Sequence, residues 1–158
     1  MSRSIRRARP ADADQLTAIR RAAVLGLATP PLSDEQVQAW LADAPPVEPA
    51  IAAGEVTVFV VEQGGSVAGF GWVDLSSDRF EASIRGPFVH PFAAREGVGS
   101  LLLSALETRA REQEVESVTV LAPQSAVPFF EDQGYDRVDT RPATFGDAPA
   151  VAFRRSLD

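Results

Sequence analysis

Hydrophobic positions follow two different periods along the chain, and the change of period separates predicted helices from predicted strands. Apolar residues recur every three or four positions in 16–27 and in 98–110, which predicts two amphipathic helices. β-branched and aromatic residues dominate 56–61 and 67–75, which predicts two buried strands joined by a hairpin turn at 63–66. The strand, loop, helix and strand over 80–121 predict a right-handed crossover unit.

The remaining predicted elements are shorter. Asp12 is the predicted N-cap of the first helix, and Ser33 with Gln36 forms a capping box that predicts another helix. Gly134 has the position of a glycine that ends a helix. Further strands are predicted at 4–9, 80–89, 117–121, 136–141 and 150–155.

Length and composition narrow the class of protein. The 158 residues, 45% of them hydrophobic, suit a single domain spanning 1–158. The net charge of −7 argues against nucleic acid and anionic membrane surfaces as partners. Without cysteine and with one histidine, no thiolate or histidine metal cluster is expected. We see neither a membrane-spanning run nor a signal peptide, so a cytoplasmic location is expected.

A glycine-containing loop lies between the fourth predicted strand and the long helix that follows it. Gly97 and Gly99 stand one residue apart, directly before the Leu-rich stretch. The first turn of a helix has unpaired N–H groups and the positive end of the dipole, and glycine lets a ligand approach closely. The loop therefore predicts a phosphate or pyrophosphate site, although a simple turn before a core helix is the alternative. The Rossmann and P-loop patterns do not match, since a third glycine and every lysine are missing.

The pattern around this loop resembles motif A of the GCN5-related N-acetyltransferases. Val-x-Pro at 89–91 is followed by Arg-x-Gly-x-Gly-Ser at 95–100 and the helix. The stretch 126–135, with Ala126, two phenylalanines, glycine and tyrosine, resembles motif B of the same family. The chain departs from the family pattern at Ala94, and also at Phe130, where a tyrosine that protonates the leaving thiolate is common.

The resemblance implies a fold and a cofactor. The implied fold is of the α/β (α+β) class. It is the GNAT fold, a central mixed, mostly antiparallel sheet of six to seven strands, flanked by about four helices and splayed between strands 4 and 5. The implied co-substrate is acetyl-CoA, with no metal. The cofactor contacts implied are Phe88, Val89, Ala94, Arg95, Glu96, Gly97, Val98, Gly99, Ser100 and Phe130. The family commonly holds the thioester oxygen with a backbone N–H that falls on Pro87, so Phe88 or another donor would have to serve.

The implied reaction moves an acetyl group to a primary amine of a small molecule or peptide. Two alternatives stay open: a CoA-binding module with little turnover, suggested by Pro87 and Phe130, and an enzyme that uses another acyl donor. Glu81 is the best-placed carboxylate for a general base, although most strand carboxylates are simply exposed. Trp40 is a candidate for the acceptor pocket, with packing in the core as the alternative, and Trp72 is a second candidate for that pocket. The oligomeric state is left open, a homodimer included.

Overall fold

The computed structural model describes residues 3–27, 33–35, 38, 56–75, 80–93, 96–123, 126–138, 143–145 and 148–157. The helices are α1 (Ala13–Leu27), α2 (Val98–Glu112) and α3 (Val127–Asp132), with 3-10 turns at Pro10–Asp12 and Pro91–Ala93. The strands are β1 (Arg3–Arg7), β2 (Val56–Gln63), β3 (Ser66–Asp74), β4 (Glu81–Val89), β5 (Ser117–Pro123), β6 (Asp136–Arg137), β7 (Ala143–Phe145) and β8 (Ala148–Ser156).

All of these strands belong to one mixed sheet. Its order is β1-β2-β3-β4-β5-β8-β6, and β7 pairs with β8 beside this path. The β4–β5 pair is parallel and the other neighbours are antiparallel. The predicted fold class is confirmed, and the three-residue β7 adds one strand to the six or seven expected. The helix predicted from Ser33 falls mostly outside the described residues.

The two faces of the sheet carry separate parts of the core because side chains alternate along a strand. Phe70 and Trp72 of β3 pack with Leu16 and Ile19 of α1 on one face. Val73 of the same strand packs on the other face, in a cluster with residues of α2 and α3. The apolar residues whose spacing predicted α2 form the stripe that this helix buries. They include Leu102, Leu103, Leu106 and Ala110.

An ion pair joins β1 to the start of α1. The guanidinium of Arg6 donates to both carboxylate oxygens of Asp12, at 2.8 and 2.9 Å. Asp12 also accepts a hydrogen bond from the backbone N–H of Arg9 at 2.6 Å. Its carboxylate therefore bonds to residues that precede it, although Asp12 lies directly before α1. The hydrogen bond from Arg6, and then that from Arg9, lower the pKa of the buried Asp12 to about 2.

Candidate active site

Strand β4 is paired with β5 over only part of its length. The parallel pairing runs from Glu81 opposite Ser117 to Ile84 opposite Val120. Beyond it, Arg85–Val89 keeps the register with β3 alone. We call Glu81–Ile84 the closed half of β4 and Arg85–Val89 its open half. The open half and the end of β5 border the gap that was predicted between strands 4 and 5.

A bulge begins the open half. Trp72 pairs with Arg85 and Phe70 with Phe88, so Gly86 and Pro87 together lie opposite Gly71. Gly86 has φ of +97°, a conformation that glycine tolerates and other residues rarely adopt. Pro87 has no N–H to donate to a ladder, so from sequence it indicates either a sheet edge or a bulge, and the structure places it in a bulge.

The alternation of backbone groups identifies which residue of the open half faces the gap. His90 donates its N–H to the carbonyl of Ala68 on β3 at 2.8 Å. In an antiparallel ladder this direction recurs at every second residue, so the backbone of Phe88 also faces β3. Its carbonyl oxygen lies 2.9 Å from where a Cβ of Gly69 would stand, which agrees. The backbone of Val89 therefore faces the gap, whereas the N–H of Phe88 faces β3 and is not directed at an acyl oxygen in the gap.

The glycine loop begins helix α2 with a residue that has no side chain to cap it. Gly97 is the N-cap, with φ of +85°, so the N-cap residue itself makes no side-chain hydrogen bond to the first turn. Its carbonyl accepts the N–H of Leu101 at 3.1 Å, the first bond of the helix. The N–H groups of Val98, Gly99 and Ser100 precede that bond, so the helix itself offers them no acceptor. The hydroxyl of Ser100 accepts a hydrogen bond from the side chain of Gln133, which ties α2 to the end of α3.

Three elements meet at Gly99. A Cβ on this residue would lie 3.3 Å from the ring of Phe129 on α3 and 3.8 Å from Pro87 on β4. The glycine therefore lets the helix start close to both the bulge and α3. Phe129 is half-buried, and its ring stands beside the loop and the open half of β4.

Phe130 points the other way, into the core. It is 2% exposed, and its ring packs on Phe153 and Tyr135 with centroids 5.5 and 5.4 Å away. A ring so enclosed has no free face for a cofactor, which speaks against the predicted contact. Phe129 is the aromatic side chain that α3 presents to the site, and the sequence analysis missed it.

Tyr135 is also enclosed. Its hydroxyl donates to Glu107 at 2.6 Å, and Glu107 accepts from Arg155 at 3.2 Å. Burial, and then the hydrogen bond to Glu107, raise the pKa of Tyr135 above its ordinary value. The tyrosine joins α2 to the core and is not placed to give a proton to a group in the gap.

Glu81 lies at the far end of β4 from the bulge. Its carboxylate accepts from Ser117 at 3.2 Å and pairs with Arg154 at 3.3 Å. Six residues separate it from Pro87, roughly 20 Å along an extended strand. Direct proton transfer in the gap is difficult from there, and the assignment of Glu81 as a general base stays a prediction.

An aromatic cluster lies on the α1 face of the sheet beside the open half. Trp72 stacks with Phe70 and packs against Phe88, with centroids 6.1 and 5.9 Å away. The buried guanidinium of Arg20 lies 5.5 Å from the Trp72 ring and 5.3 Å from the Phe88 ring. Trp72 is 6% exposed and packs in the core cluster with Phe70 and Leu16, whereas the sequence analysis proposed it for the acceptor pocket. Trp40, Ala94 and Arg95 lie outside the described residues.

The sequence analysis also missed two arginines near the site. Arg20 stands four residues after Leu16 on the buried stripe of α1, and a charge at such a position was the available signal. Arg3 of β1 donates to the backbone carbonyl of Glu96, at the start of the glycine loop. No local pattern marks that contact, because 93 residues separate its partners.

Two further features concern metal binding and membrane crossing. Within the described ranges, no three His, Asp, Glu or Cys side chains come together as a metal site. In the same part of the chain, no helix is long and apolar enough to cross a membrane.

Comparisons with known proteins agree with this geometry. Residues 28–152 match the family described as the acetyltransferase (GNAT) domain. The GCN5-related N-acetyltransferase from Rhodopseudomonas palustris is 25% identical with a TM-score of 0.78, over 99% of this chain and 96% of its own. PaiA N-acetyltransferase from Thermoplasma acidophilum, solved with coenzyme A, is 15% identical with a TM-score of 0.80, over 99% of both chains.

A third similar structure is that of YncA from Salmonella typhimurium, solved with its cofactor acetyl-CoA. It is 22% identical with a TM-score of 0.73, over 100% of this chain and 95% of its own. The family match covers most of the sequence, including β4, the glycine loop and α3. The chain therefore belongs to the GNAT family of acetyltransferases, and so to the acyltransferases.

Proposed function

We propose that this chain binds acetyl-CoA and transfers its acetyl group to a primary amine of a small molecule or peptide. The observation that carries the proposal is the meeting of the open half of β4 with the uncapped first turn of α2. One offers backbone groups to an extended arm, and the other offers N–H groups to a pyrophosphate. The relatives solved with coenzyme A and acetyl-CoA support the same ligand here.

The residues present fit such a ligand. Gly97 takes a left-handed conformation and Gly99 carries no side chain, so phosphate oxygens can reach the N–H groups of the first turn. The N–H and carbonyl of Val89 are the pair that would bind the amides of the arm. Phe129 borders the loop and would pack on the arm in the place proposed from sequence for Phe130. Glu96, Val98 and Ser100 contribute through the loop backbone, and Ala94 and Arg95 are carried over from the resemblance.

Bound acetyl-CoA supplies an activated acyl group, and the chain holds it beside the amine. Phe130 has no acidic proton and Tyr135 is enclosed, so neither protonates the leaving thiolate. A thiol with a pKa of about 8.5 can leave as thiolate without a strong acid. The amine must be neutral to attack, and water at the gap or a carboxylate would take its proton. A cytoplasmic location and a homodimer stay predictions.

The test combines binding with turnover. Calorimetry with acetyl-CoA, followed by thiol release over a panel of amines, amino acids and peptides, should show binding and release with at least one acceptor. Binding with background release for every acceptor would favour the CoA-binding module, and absence of binding would overturn the proposal. With two acceptors of different pKa, kcat/KM should rise toward alkaline pH with each acceptor's own ionisation.

A further inference from the structure

We infer that Arg3 is a positioning residue for the loop that would hold the pyrophosphate, an inference that rests on the proposed function. Its Nη1 donates to the backbone carbonyl of Glu96 at 2.8 Å. Its Nε and Nη2 donate to Oε1 of Gln63 at 3.1 and 2.9 Å. Arg3 thus joins strands β1 and β2 to the residue that immediately precedes Gly97.

The contact fixes the orientation of one peptide plane. The carbonyl of Glu96 and the N–H of Gly97 belong to the same peptide group, and in a trans peptide they point in opposite directions. Because Arg3 holds the carbonyl, the N–H of Gly97 must point away from Arg3. Gly97 is free to rotate into many conformations, so an outside contact that selects one has a larger effect here than at another residue.

Gln63 holds the guanidinium in place. It is the cross-strand partner of Arg3, and its amide also donates to the carboxylate of Glu96 at 3.5 Å. The planar guanidinium is therefore held at two points, by the Gln63 side chain and the Glu96 backbone. The carboxylate of Glu96 is drawn toward Gln63 at the same time, away from a position where it would compete with a phosphate.

Charge is the competing explanation for any effect of Arg3. Its Nη1 lies 3.7 Å from where a Cβ of Gly97 would stand, so the cation is also close to the loop. A positive charge in this acidic chain attracts phosphates without orienting anything. Positioning needs the fork of donors, whereas attraction needs only the charge, so Arg3→Lys separates them.

The experiment compares Arg3→Gln with Arg7→Gln. Arg7 is also exposed and lies on the same strand, about 13 Å from Arg3, so both variants remove one charge from β1. We expect Arg3→Gln to raise the Kd of CoA by about three- to tenfold, the scale of one exposed charge-assisted hydrogen bond. Arg7→Gln should leave it within about twofold, because the contact is local.

Further readouts separate positioning from general damage. Arg3→Gln should raise KM for acetyl-CoA and leave kcat at saturation unchanged. The fold loss of affinity should be the same for CoA and for dephospho-CoA. Gln63→Met, which removes the second anchor and keeps every charge, should weaken CoA binding about two- to threefold, less than loss of the main contact. It also serves if Arg3→Gln fails to fold.

Three results would overturn the inference. If both Arg3→Gln and Gln63→Met bind CoA as tightly as the wild type, the contact between Arg3 and Glu96 has no role in CoA binding. Full rescue by Arg3→Lys would assign the effect to charge alone. A loss confined to CoA and absent with dephospho-CoA would assign it to attraction of the 3′-phosphate. If the wild type itself does not bind CoA, the proposed function fails first, which is a distinguishable outcome.

Discussion

The two halves of β4 have the same length scale and the same neighbour in β3, yet they perform different tasks. The closed half pairs with β5, and its Ala82 and Ile84 lie fully inside the core with Val118. The open half contains a bulge, a proline and two half-buried apolar residues, and it leaves the backbone of Val89 facing the gap. One half uses its hydrogen bonds for the fold, and we propose that the other offers them to acetyl-CoA.

The change from one half to the other takes place within three residues. Ile84 is the last residue paired with β5, and Gly86–Pro87 forms the bulge. Substitutions that touch the closed half should therefore change stability, and those that touch the open half should change binding.

Neighbouring phenylalanines on α3 give the sharpest test. Phe130 packs in the core cluster that contains Ile84, so Phe130→Ala should lower the free energy of unfolding by about 3–5 kcal/mol. Phe129 lies beside Pro87 and Gly99, so Phe129→Ala should mainly weaken acetyl-CoA binding. Denaturant unfolding and calorimetry on both variants measure the two effects. The reverse pattern would show that the assignment of the rings is wrong.

The first turn of α2 can be blocked directly. Gly99→Glu adds a side chain toward Phe129 and a negative charge beside the predicted pyrophosphate, so acetyl-CoA affinity should fall at least about a hundredfold, about 2.7 kcal/mol. Ser104→Glu adds the same charge to an exposed position one turn later on the helix and is the matched control. Calorimetry measures both, with circular dichroism to check the fold. Equal affinities would contradict an anion site at this turn.

Asp12, remote from both halves, provides a reference for a pure stability change. Its folded pKa of about 2 lies below the unfolded value of 3.8, so ionisation stabilises the fold above pH 4 by about 2 kcal/mol. That contribution should fall as pH drops through 4 toward 2. Urea unfolding should show that the free energies of unfolding of the wild type and Asp12→Asn converge between pH 4 and 2. The CoA affinity of the variant near neutral pH should be unchanged.

Glu81 is expected to give the smallest effect. Its pair with Arg154 is partly exposed, so Glu81→Gln should change stability by less than about 1 kcal/mol. Because Glu81 lies in the closed half of β4, away from the gap, kcat/KM should also be unchanged. A lower kcat with intact acetyl-CoA binding would restore Glu81 as the general base and would break the division between the halves.

The sequence predicted the elements better than the contacts between them. The apolar spacing at 98–110 predicted α2, and the β-branched and aromatic residues at 56–61 predicted β2. Pro87 indicated the position of the bulge. Each of these signals is local. The orientation of α3 could not be predicted, since a helix of six residues holds two adjacent phenylalanines and its own pattern does not decide which one is buried. Because Phe130 is the buried one of the two, Phe130→Tyr would place a hydroxyl in the core without a hydrogen-bond partner and destabilise the fold.

Long-range contacts account for the rest of what was missed. Strand β1, which contains Arg3, lies at the edge of the sheet, and its local pattern does not indicate the contact with Glu96. Arg20 and the aromatic cluster depend on how α1 lies against β3 and β4. Such pairings are set by the packing of whole elements, and no window along the chain contains both partners.

Val89 has a consequence for how this protein tolerates change. Its proposed part in binding uses the main chain, which every residue except proline shares. Replacing its side chain with another β-branched one should therefore leave ligand affinity nearly intact, while Val89→Pro should abolish the donor. A mutational scan read only by side-chain chemistry would pass over this position, and divergent sequences could keep the same contact without keeping the same letter.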